Sequence, residues 1–123
     1  MRARILIVDD DPGVRTVAED VLIAAGFEVT GTDSAASALE LLQTREIDIV
    51  VTDVVMPDFD GFTLGAHIAV LRPDTRVVYM SGRLPAHEST PGNVLEKPFT
   101  PAELVHAVES VLTPPPSGRS QGP

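Results

Sequence analysis

The chain has 123 residues, no cysteine, a formal net charge of −9 and a pI near 4.5. That length suits one domain with a single hydrophobic core, and the acidic balance with eight scattered arginines leaves no basic stripe for nucleic acid to bind directly. No run approaches the ~20 apolar residues of a membrane span or a signal-peptide core, and the absence of cysteine removes disulfides and thiolate zinc sites; a soluble, cytoplasmic protein without membrane insertion is expected.

In chain order, the first β-rich run is Ile5–Val8, which stops at Asp9, Asp10 and Asp11. Asp11 is placed as an N-cap with Pro12 at the first helical position, and Val14, Val17, Ala18, Val21, Leu22 and Ala25 fall on one helical face that Gly26 can close. A second strand is predicted at Phe27–Thr30, and Ser34 caps a helix carrying Leu39 and Leu42. The third strand, Ile47–Thr52, delivers Asp53. Asp60-Gly61 opens a helix with Phe62, Leu64, Ile68 and Leu71, ended by Arg72-Pro73.

A fourth strand, Val77–Met80, leads to Ser81-Gly82, and a fifth, Val94-Leu95, leads to Glu96-Lys97-Pro98-Phe99. Between them Pro85, Pro91 and Gly92 confine any uninterrupted helix to Ala86–Thr90, one turn at most. Thr100-Pro101-Ala102-Glu103 is a capping box that starts the last helix, with Leu104, Val108, Val111 and Leu112 on its apolar face. Residues 113–123, TPPPSGRSQGP, lack apolar periodicity and read as a flexible tail after a domain of residues 1–112.

Alternation of strands and helices predicts an α/β fold with a doubly wound, five-stranded parallel sheet of order 2-1-3-4-5, flavodoxin-like, its fourth helix shortened or missing. Strands one and three are unbroken apolar runs, so they belong at the centre with helices on both faces. The ligand site of such a sheet lies at the carboxyl ends where the strand order reverses, between strands one and three. Asp9 and Asp10 therefore meet Asp53.

Two carboxylates 4 Å apart repel by about 4 kcal/mol at an effective dielectric near 20. A hard divalent cation offsets that repulsion, and Mg²⁺ is the usual ion for an open site of few carboxylates and several waters. A strand-end aspartate taken singly is more often a cap or turn residue, which is the simpler reading of Asp11. Ser81 and Lys97, the only lysine in the chain, arrive at the same sheet edge. Held between two cations, Asp53 stays ionised as a nucleophile toward a phosphoryl group. His67, His87 and His106 lie in separate patterns and read as surface or packing residues, as Met56 and the phenylalanines read as packing.

The stretches ILIVDDDP, VVTDVVMPDFDG, VVYMSG and EKPF, in this order, make the chain from Arg4 to about Leu112 resemble the receiver domain of two-component response regulators. The resemblance implies that Asp53 is the phosphoacceptor and that Asp10 ligates Mg²⁺ directly, with Asp9 acting through water and the Val55 carbonyl also coordinating. It implies that Ser81 and Lys97 bind phosphoryl oxygens, that Val55 and Arg83 tune hydrolysis, and that the Lys97–Pro98 peptide is cis. The implied function is a phosphoacceptor switch that catalyses only its own phosphorylation and slow dephosphorylation. Its donor would be a sensor histidine kinase or a histidine phosphotransfer protein.

Two departures stand beside these matches. Val94 occupies the place where the family usually has an aromatic switch residue, and the segment between Ser81 and Lys97 is shorter than usual. Three other readings use the same residues. A nucleotide- or flavin-binding enzyme lacks its glycine-rich phosphate loop here, since three aspartates fill the first turn. An aspartate-nucleophile hydrolase usually carries a second acid two residues after the nucleophile, where Val55 stands. A receiver-like module that no longer takes phosphate fits Val94 but leaves the full acidic, hydroxyl and lysine set unexplained.

Overall fold

The two unbroken apolar runs lie side by side: β1 (Arg4–Val8) pairs in parallel with β3 (Ile49–Asp53), from Ile5 opposite Ile49 to Val8 opposite Thr52. β2 (Glu28–Thr32) flanks β1, while β4 (Arg76–Ser81) and β5 (Val94–Glu96) extend the other side. The order is β2-β1-β3-β4-β5, as the sequence predicts, in a computed structural model that describes residues 2–56, 58, 60–82 and 94–112. The helices are α1 (Pro12–Ala24), α2 (Ala35–Thr44), α3 (Gly61–Leu71) and α4 (Pro101–Leu112).

Because side chains alternate across a strand, each central strand feeds two cores. Ile5, Ile7, Ile49, Val51, Val78 and Met80 pack with Ala18 and Leu22 of α1 and Leu104 and Val108 of α4. Leu6, Val8 and Val50 pack on the opposite face with Ala35, Ala38, Leu42, Leu64 and Ile68 of α2 and α3. Fully burying one such aliphatic side chain is worth roughly 1.5–3 kcal/mol, and both cores clamp the sheet whose ends build the site.

The helix starts follow the sequence cues. Asp11 Oδ1 accepts from the Gly13 and Val14 N–H groups at 2.9 and 3.3 Å, and Ser34 Oγ accepts from Ser37 N–H at 3.1 Å. Thr100 and Glu103 exchange the reciprocal bonds of the capping box at 3.1 and 2.8 Å. Gly26 closes α1 with φ of 100°, while the Phe27 N–H reaches back to Leu22 O and the Gly26 N–H to Ile23 O, the two bonds of a Schellman ending.

Several boundaries differ from the sequence reading. Phe27 is consumed by the ending of α1, so β2 begins one residue later and runs on to Thr32. β3 starts at Ile49 rather than Ile47 and includes Asp53. Val17 is 59% exposed, because α1 buries only the narrow stripe of Ala18 and Leu22. Ala25 lies beyond the helix as its C-cap, and Leu71 is 41% exposed at the end of α3. The expected one-turn limit over residues 86–90 and the tail over 113–123 fall outside the described residues. Among the described residues, no helix is long and apolar enough to cross a membrane.

Candidate functional site

Four strand ends meet at the carboxyl edge of the sheet. β1 delivers Asp9, whose N–H donates to Thr32 O at 3.1 Å and whose carboxylate is fully buried. Its Oδ1 accepts from the Asp11 N–H at 2.9 Å, and its carbonyl accepts from Arg15 Nη1 at 2.7 Å. Asp10, next along the turn, is exposed. β3 ends in the nearly buried Asp53, whose carbonyl accepts from the Thr52 hydroxyl at 3.0 Å.

β4 contributes the buried Ser81, whose carbonyl accepts the Lys97 N–H at 2.7 Å and so joins the β5 exit to the site. Lys97 Nζ lies 3.3 Å from both Asp9 Oδ2 and Asp53 Oδ2. One ammonium thus bridges two carboxylates that come from different strands. The peptide that follows, Lys97–Pro98, is cis, as the resemblance implies.

Carboxylate oxygens of Asp9, Asp10 and Asp53 all lie within 4.8 Å of one another. Burial pushes the Asp9 carboxyl above its ordinary range; the Asp11 N–H and Lys97 pull it back, and the charge of Asp53 pushes it up again. Lys97 contacts two of these three carboxylates, Asp9 and Asp53, and Asp10 lies beside them. Hard oxygen donors, one of them open to solvent, suit a divalent cation that retains water, and the residues present fit such an ion.

Val54 N–H donates to Met80 O at 2.9 Å and the Gly61 N–H donates to Val54 O at 2.7 Å, which folds the start of α3 back against Asp53. Met56 is buried among Leu6, Val8, Ala35 and Leu64, while Val55 is 73% exposed beside the cluster. His67 and His106 are exposed, away from these carboxylates in sequence and on separate helices. Arg83 and His87 lie outside the described residues.

The structure brings Asp9, Asp10, Asp53, Ser81 and Lys97 to one edge, as the topology predicts. Two participants escaped the sequence reading. Arg15, one turn into α1, donates from its guanidinium to the Asp9 carbonyl. Asp58 reaches across to α2, accepting from the Ala36 N–H at 3.0 Å and the Ala35 N–H at 3.5 Å. A contact between a loop aspartate and a helix 22 positions earlier leaves no local pattern.

Known proteins share this fold. Residues 5–109 match the response regulator receiver domain. The response regulator receiver protein CpdR of Brucella abortus is 35% identical over 115 residues, spanning 89% of this chain and 96% of that protein. The DNA-binding transcriptional regulator NtrC of Azospirillum brasilense is 38% identical over 122 residues, but the chain spans only 25% of its length. A crystal structure of a response regulator receiver protein from Sinorhizobium medicae superposes with a TM-score of 0.81 at 36% identity, covering 90% of this chain and 94% of that one. The order of the strands, the acidic cluster at their ends and these matches lead to one conclusion: the chain belongs to the receiver-domain family of response regulators.

Proposed function

We propose that the domain accepts a phosphoryl group on Asp53 from a phosphohistidine donor, with Mg²⁺ held by Asp9, Asp10, Asp53 and the main-chain carbonyl of Val55. The observation that carries this reading is the position of Lys97 Nζ, 3.3 Å from Asp53 on one side and from Asp9 on the other. A bound Mg²⁺ supplies charge neutralisation for the transferring phosphoryl group. The remaining work belongs to the chain.

An Asp53 carboxylate oxygen forms the new bond to phosphorus while the bond from phosphorus to the donor imidazole nitrogen breaks, and the freed imidazole takes up a proton from solvent. Lys97 pairs with Asp53 before transfer and with a phosphoryl oxygen afterwards, while Ser81 binds a second oxygen. Transfer in trans from a histidine kinase or phosphotransfer protein needs a docking surface beside the site. Val14, the exposed Val17, Pro98 and Phe99 form an apolar shelf next to Lys97, which supports docking of such a partner there. The chain acts only on itself, and a cytoplasmic location follows from the donor.

Intact mass after incubation with acetyl phosphate and Mg²⁺ tests the reading. Wild type is expected to gain one phosphoryl group and Asp53→Asn none. Wild type that stays unmodified with acetyl phosphate and with a phosphohistidine donor would overturn it.

Release of the phosphoryl group requires a water in line with the phosphorus bond. The side chain of Val55, two positions after Asp53 and 73% exposed, offers no hydrogen bond to orient that water. Slow decay is therefore expected, and Val55→Asn is expected to speed it several-fold, measured as loss of phosphorylated protein over time. Equal decay in both proteins would remove Val55 from the account.

A further inference from the structure

The first amides of a helix have no partner within it and must find one elsewhere. In α2 the Ser37 N–H is taken by its own N-cap, Ser34. The two preceding amides, Ala35 and Ala36, are taken by Asp58, a residue of the loop that leaves β3. The same loop carries Val55 and is pinned at its other points by buried Met56 and by the Gly61 N–H to Val54 O bond. Helix α2 is itself fixed to the sheet, since Ala35, Ala38 and Leu42 are buried.

We propose that Asp58 is a positioning residue: by fastening the β3–α3 loop to the amino end of α2 it sets where the Val55 carbonyl lies relative to Asp9, Asp10 and Asp53, and so sets the affinity of the metal site. This rests on the reading that Val55 O is a ligand. A carboxylate suits the task because it accepts from two adjacent amides at once and meets the positive end of the helix dipole. Without it, the loop loses the hydrogen bonds that tie it to α2 and keeps only the apolar packing of Met56 against that helix, with the Gly61 N–H to Val54 O bond on the sheet side.

A merely structural role and a positioning role separate by comparing the two residues that cap the same helix. Ser34→Ala and Asp58→Ala each strip α2 of capping, but only Asp58→Ala frees the loop. Calorimetric titration with Mg²⁺ is expected to give about a tenfold weaker Kd in Asp58→Ala, a Kd within twofold of wild type in Ser34→Ala, and near wild-type affinity in Asp58→Asn, whose amide oxygen still accepts from Ala36. A second measurement needs no metal: amide exchange at Gly61, whose N–H closes the loop on Val54 O, is expected to quicken in Asp58→Ala and not in Ser34→Ala. Equal Mg²⁺ affinity in the two alanine variants, or Gly61 exchange unchanged by Asp58→Ala, overturns the proposal. Failure of the wild type to bind Mg²⁺ instead strikes the metal reading, and Gly61 exchange then still decides whether Asp58 holds the loop.

Discussion

Gly61→Ala is expected to lower stability by about 3 kcal/mol, a fall in Tm of roughly 10 °C for a domain of this size. A Cβ at position 61 would overlap the Asp53 carbonyl oxygen and stand 3.0 Å from Val54 Cα, both backbone atoms. Neither can turn aside as a side chain does. Alanine is otherwise the better helix former by about 1 kcal/mol, so the clash must exceed that gain before any loss is seen. The displaced group is the main chain of Asp53 itself, and phosphorylation is expected to fall with stability. Gly31→Ala provides the contrast: its Cβ would meet the end of the Glu19 side chain, which can swing into solvent, so a change within about 0.5 kcal/mol is expected. Thermal melts of both variants check the pair, and a Gly61→Ala protein as stable as wild type would show that the α3 start yields freely.

Mg²⁺ is expected to stabilise the wild type by about 2.7 kcal/mol at roughly 100 times its Kd, since only the native cluster gathers the three carboxylates. Asp10→Asn should remove most of this gain while changing the metal-free fold little, because Asp10 is exposed. Melts with and without Mg²⁺ read both effects, and equal responses in the two proteins would exclude Asp10 as a ligand. Acidity has a defined sign here. The Asp9 carboxyl is raised above its unfolded value by burial, so in metal-free protein, over the interval between the unfolded and folded values, the native state binds more protons at Asp9 than the unfolded chain does. Its contribution to stability is therefore present when Asp9 is protonated and is lost as pH rises through the folded value. The Mg²⁺ effect should grow over that same interval, since protons and metal compete for one carboxylate.

How far the sequence revealed this molecule depended on whether a signal was local. The run Ile5–Val8 and its neighbour Ile49–Val51 are apolar at every position, which marks strands covered on both faces, and the sheet order followed from them. Caps at Asp11, Ser34, Asp60 and Thr100 are short-range chemistry and were equally legible. Val17 was not, because an apolar residue one position from Ala18 looks the same whether the buried stripe is narrow or wide. The start of β2 was lost to the ending of α1, where Phe27 serves the helix before the strand. In the site, Asp9, Asp10, Asp53, Ser81 and Lys97 were found from strand ends, whereas Asp58 acts across a tertiary contact with no periodicity to betray it.

The Lys97 to Asp9 contact joins positions 88 apart in the chain. Closing so long a loop costs more entropy than pairing β1 with β3, so this bond is expected to follow that pairing. During synthesis the three aspartates are extruded well ahead of their ammonium. A nascent chain cut short before β5 carries the full mutual repulsion of the cluster with nothing from Lys97 to offset it. The offset that Lys97 gives to Asp9 and Asp53 is thus open only to a chain long enough to include the exit of β5.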